Sequence, residues 1–133
     1  MRTVKEFIEA CYDDKNIGEV EKMIEEDKSI VNKKDEEGWT GLMQAVSDTN
    51  VSIASKILAT PGVDMCLEDN YGRTALHAAC FMNAAESIKL LLAHPQCTPA
   101  FVAWKDNRGE TAEMVAQEEE HTDCLELLKV RIH

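Results

Sequence analysis

Three stretches of this chain carry one phrase: "DEEGWTGLMQAV" at 35–46, "DNYGRTALHAAC" at 69–80 and "DNRGETAEMVAQ" at 106–117. Each has Asp, two variable residues, Gly, one variable residue, Thr and a later Ala, and successive copies begin 34 and 37 residues apart. A period of that length inside 133 residues excludes most globular arrangements, because a repeated unit buries its apolar face against the next copy of itself. The phrase therefore predicts a stack of short units.

The residue types say what each unit contains. Gly38, Gly72 and Gly109 suit a tight turn of positive φ, and Asp35, Asp69 and Asp106 are placed to bond backbone N–H groups across it. Thr40, Thr74 and Thr111 then sit at the N-cap of a helix. The first helices, "LMQAV", "LHAAC" and "EMVAQ", carry small residues that allow close approach, while "VSIASKIL", "AESIKLLL" and "TDCLELL" place apolar residues at helical spacing for a second layer. Short segments read as extended, "SIVNKKD", "MCLED" and "FVAWKD", lead into the turns. Residues 1–34 read as a degenerate copy, with Val4, Phe7, Ile8 and Cys11 striping one helix and Ile17, Val20, Met23 and Ile24 another. The expectation is one mainly α solenoid over 1–133, in four units at 1–34, 35–68, 69–105 and 106–133. Each unit is a β-turn or hairpin followed by two antiparallel helices, and the first and last units serve as polar caps.

Composition narrows the chemistry. Aromatics are only 5% of the chain against 44% apolar residues, so the core is expected to be aliphatic and alanine-rich. A formal charge of -11 repels phosphate backbones and argues against nucleic acid as a partner. It favours instead a protein partner with a basic surface. By unit the charge is -2, -5, +1 and -5, so the third unit stands apart. The start, "MRTVKEFIEACYDD", lacks the apolar run of a signal peptide, and no stretch approaches the roughly 18 residues of a membrane span, which predicts a cytoplasmic or nuclear protein without a membrane. Cys11, Cys66, Cys80, Cys97 and Cys124 include no Cys-x-x-Cys pair and read as buried reduced thiols. His94, His121 and His133 are scattered, the acidic runs match no calcium loop, and the glycines are single, so no metal, cofactor or catalytic group is expected.

With its turn and two helices, Thr74-Ala75-Leu76-His77 resembles the ankyrin repeat family, and Val31 to Asp35 resembles that family's hairpin stem. The resemblance covers essentially the whole chain and implies that His77 is structural, tying its ring to neighbouring backbone and hydroxyl groups. Gly41 and Met43 depart from the family's proline and histidine, as do Ala112, Glu113 and Met114 in the last unit from its proline, leucine and histidine. The longer connection "HPQCTPAFV" at 94–102 is a surface loop on this reading, either a tolerated insertion or a binding element.

The resemblance also implies where recognition happens: the turn tips and the exposed side of the first helices form a concave face. The expected protein-binding residues are Glu36, Glu37, Trp39, Asn70, Tyr71, Arg73, Phe81, Met82, Asn107, Arg108 and Glu110, with Ser47, Asp48, Glu118 and Glu119 beside them. Trp39, Tyr71, Arg73, Phe81 and Met82 have the composition of an interface hot spot, although Trp39 and Phe81 equally suit packing between units. Trp104 is expected to pack on its stem. The chain thus reads as a monomeric, non-enzymatic adaptor, scaffold or inhibitor. The alternative is a targeting or regulatory module from a larger enzyme or channel.

Overall fold

A computed structural model describes residues 3–132. Among them are nine α-helices and no strand: α1 Val4–Ala10, α2 Ile17–Glu26, α3 Gly41–Ser47, α4 Val51–Leu58, α5 Ala75–Phe81, α6 Ala85–Ala93, α7 Pro99–Val102, α8 Ala112–Glu118 and α9 Thr122–Ile132. Helices α1, α3, α5 and α8 pack side by side in one layer, while α2, α4, α6 and α9 form the second layer behind it. The chain is a mainly α solenoid, as its periodicity implied. One continuous core runs between the layers, and its largest fully buried side chains include Phe7, Met23, Met43, Ile53, Ile57, Leu76, Ile88, Leu91 and Leu128.

Each inner helix begins where a threonine caps it. The Thr40 and Thr111 hydroxyls accept from the N–H of Met43 and Met114, at 3.3 and 3.2 Å. Just ahead of each cap, one aspartate oxygen holds the turn: Asp35 Oδ1 accepts from the N–H of Glu37 and Trp39, Asp69 Oδ1 from Tyr71 and Arg73, and Asp106 Oδ1 from Arg108 and Glu110, all at 2.8–3.0 Å. The tips are then stitched to one another. Asn70 N–H donates to Glu37 O at 3.0 Å and Asn107 N–H to Tyr71 O at 2.9 Å, with the two asparagine side chains adding bonds to Glu36 O and Asn70 O. Gly38 and Gly72 serve this ladder twice over. Their φ values are +78° and +75°, and a Cβ on either would press against the next asparagine, 2.7 Å from Asn70 N and 3.0 Å from Asn107 N.

The pairs of helices close on a second repeated feature that has no fixed residue. Thr49, Asn83 and Glu120, each just beyond an inner helix, all adopt left-handed backbone with φ of 57°, 52° and 58°. The following N–H groups of Asn50, Ala84 and His121 reach back to Ala45 O, Ala79 O and Ala116 O at 2.8–2.9 Å. Neighbouring units supply caps here as well: Asp14 accepts from the N–H of Ser52 and Ile53 at the start of α4, and Asn83 Oδ1 from Cys124 in α9.

Three expectations are corrected. Residues 28–32 form a 3-10 helix rather than extended backbone, capped by Asp27, because Ile30 and Val31 bury in that conformation. The 94–102 connection is not simply a surface loop. It folds into α7 with Cys97, Phe101 and Val102 buried, and the Gln96 side chain bonds Met65 N–H and Val63 O. Asn32 does the same for Gly62 O and Asp64 N–H from the preceding unit, so the two side chains brace one loop from either side. Finally, Cys80 and Cys124 are not reduced thiols but a disulfide between α5 and α9, with Cα atoms 5.7 Å apart. Cys11, Cys66 and Cys97 lie outside any disulfide, and burial pushes the Cys11 thiol up to about 12, which leaves it unreactive.

Candidate protein-binding groove

The stitched tips fix the direction of the inner helices. Because α3, α5 and α8 each start from a stacked tip and pack on one another, they run parallel, with their C-terminal ends at Ser47, Phe81 and Glu118 along one edge. Between tips and helix ends lies a groove of about 380 Å³. Its apolar part is formed by Trp39, Ala78, Phe81, Met82 and Val115. Arg73 and Arg108 stand at the tip end with Asp69 and Glu110, and Glu118 and Glu119 at the helix end.

Most of the tip-end chemistry is already engaged within the chain. Arg73 Nε is 3.6 Å from Asp106 Oδ2, and its guanidinium lies over the Tyr71 ring at 5.7 Å from the centroid. Burial alone would push the Asp106 carboxyl up, but the N–H groups of Glu110 and Arg108 and the charge of Arg73 hold it below the usual carboxylate range. Arg108 Nε approaches Glu110 Oε1 at 3.8 Å. His77 is 2% exposed, and its Nδ1 accepts from Thr74 N–H at 3.2 Å, which leaves Nε2 to donate to Glu110 O at 2.9 Å. It is a strut between successive tips, in keeping with the structural role implied for it.

The structure gathers part of the expected surface. Trp39, Arg73, Phe81, Met82, Arg108 and Glu110 share the groove. Phe81 is 54% and Met82 49% exposed, whereas Trp39 is half-buried with its indole N–H bonded to Gln44 Oε1 at 3.0 Å, so Trp39 both packs and lines the groove. Tyr71, 64% exposed, projects at the tips beside it. Asn70 and Asn107 spend their side-chain amides on the tip ladder, and Glu36 and Glu37 line a separate, open depression with Thr3, Val4, Lys5 and Lys34. Trp104 was expected to pack, but it is 43% exposed and lies outside the core; what holds it is its indole N–H, shared between Gly72 O and Glu68 Oε2, both at 3.1 Å. Ala78 and Val115 were not anticipated. Ala78 lies one helical turn before Phe81 and Met82, and that spacing on the exposed face of α5 was the available signal.

Among the described residues, no group of three or more His, Cys, Asp or Glu side chains is arranged to hold a metal ion, and no helix is long and apolar enough to cross a membrane. Compared with known families, residues 7–100 match a family model described as ankyrin repeats, in three copies. The match spans most of the stack, from the Phe7 turn of α1 into α7.

Proposed function

We propose that this chain, which belongs to the ankyrin repeat family, acts as a non-enzymatic adaptor, scaffold or inhibitor that holds another protein in the groove between its turn tips and inner-helix ends. Ankyrin repeats are generally protein–protein interaction modules. The observation that carries the reading is the pair of exposed side chains Phe81 and Met82, set beside Trp39 and Arg73 in one concavity. Large apolar side chains clustered in a concavity are what a partner's anchoring residues fill. Tyr71, under the Arg73 guanidinium, extends the same surface along the tips.

The unit boundaries at residues 34, 68 and 105 belong to this reading, with the outer charges of the end units keeping the chain monomeric. So does an address in the cytoplasm or nucleus, where the Cys80–Cys124 disulfide would have to persist against a reducing thiol pool. The test is site-specific photocrosslinking in cells, with a benzophenone side chain at Met82 in one version and at Lys89, exposed on the second layer, in another. A discrete adduct from Met82 and none from Lys89 is the expected result. Equal labelling from both positions would sink the groove as the binding surface.

A further inference from the structure

The groove is electrically lopsided in a way that specifies its occupant. At the tip end each arginine has an acid of its own chain: Arg73 faces the buried Asp106, and Arg108 faces Glu110. At the other end the acids have no such partner. Glu118 and Glu119 line the groove, are exposed, and make no ion pair among the described residues. No lysine or arginine is close in the sequence either, since residues 40–55, 74–88 and 111–128 contain none, and the one basic ring at this edge, His121, is engaged through Nδ1 with Cys80 O at 2.8 Å. The same edge receives the C-terminal ends of α3, α5 and α8, where the N–H groups that follow each helix cap most of the last carbonyls, so the negative charge there is that of the carboxylates. Two carboxylates without an ion-pair partner thus stand beside the apolar surface of Phe81 and Met82.

We infer that the occupant of this groove is a basic, amphipathic peptide segment of a partner protein, with one bulky apolar side chain seated against Phe81, Met82 and Trp39 and with lysine or arginine next to it at Glu118 and Glu119. The inference rests on the groove being the binding surface and goes further by fixing the partner's chemistry and orientation. A segment with acids beside its apolar anchor is rejected, because it would meet two unpaired carboxylates.

The test is selection of a displayed random-peptide library on the full chain, followed by fluorescence anisotropy of a synthetic winner. Binding is measured on the intact chain, on Phe81→Ala and on the Glu118→Gln/Glu119→Gln double variant, each shown to be folded by circular dichroism. The expected winners carry an apolar residue within a few positions of lysine or arginine. Their affinity should fall at least tenfold with Phe81→Ala, and roughly three- to tenfold with the glutamine pair at low salt. Added salt should erase the second loss and largely spare the first. Winners with no basic bias, or unaffected by the glutamine pair, yet sensitive to Phe81→Ala would overturn the inference and leave the groove standing. Winners indifferent to Phe81→Ala, or no enrichment at all, would overturn both.

Discussion

At single residues the solenoid shows where its sequence is still paying for geometry. Thr49 is β-branched and sits at φ of 57°, a conformation that Asn83 occupies one unit later with less strain. Thr49→Asn is expected to raise stability by about 0.5–1 kcal/mol in chemical denaturation; a loss would show that the Thr49 hydroxyl bond to Asp48 O outweighs the strain. Asp106 gives a pH signature. Its folded value lies below the unfolded one, so its ionised form stabilises the fold above the unfolded value, about 4, and that contribution is lost as pH falls through the lower folded value. Asp106→Asn should therefore be less stable at neutral pH and lose less on acidification, a difference readable from urea midpoints at pH 7 and pH 3. Equal slopes for the two proteins would show that the carboxylate is not what holds the last tip. The roles of Asp35, Asp69 and Asp106 were legible from their fixed distance to Gly and Thr. Those of Asn70 and Asn107 were not, since their partners lie on another unit.

Among elements, the second-layer helices were the most readable, because an amphipathic stripe with one buried face shows itself in sequence spacing: Val51–Leu58 is the stretch "VSIASKIL" itself. The connections were the least readable. A 3-10 turn at Lys28–Asn32 and the one-turn α7 owe their shape to Ile30, Val31, Phe101 and Val102 finding the core, which is a tertiary effect with no local period. Gly41 is a similar case. It looked like a lapse from the family pattern, yet the Phe7 ring occupies the space a Cβ would need. The Cys80–Cys124 bond joins elements 44 residues apart in sequence, so spacing could not reveal it. Reduction, or Cys124→Ser, is expected to lower stability by about 2–4 kcal/mol and to release α9 first, seen as faster amide exchange there than in α5. An unchanged melting temperature with and without reductant would show that packing alone holds α9.

For the whole molecule, core and groove make separable contributions. Leu76 is fully buried in α5, and Leu76→Ala should cost about 2–5 kcal/mol of unfolding free energy. Phe81→Ala, on the opposite face of the same short helix, should change stability by less than about 1 kcal/mol and act on binding. Comparable destabilisation by both would mean that Phe81 belongs to the core and that the concavity is only a gap in packing. The tip ladder gives the array a last consequence, for how its copies are free to change. Gly38 and Gly72 each have an asparagine of the next tip against them, while nothing lies within 4 Å of where a Cβ on Gly109 would stand. Gly109 answers to its backbone angle alone, so asparagine is a tolerable exchange there and an intolerable one at the other two. The same letter in the same slot of a repeat is thus under different constraint depending on whether a neighbouring tip packs against it.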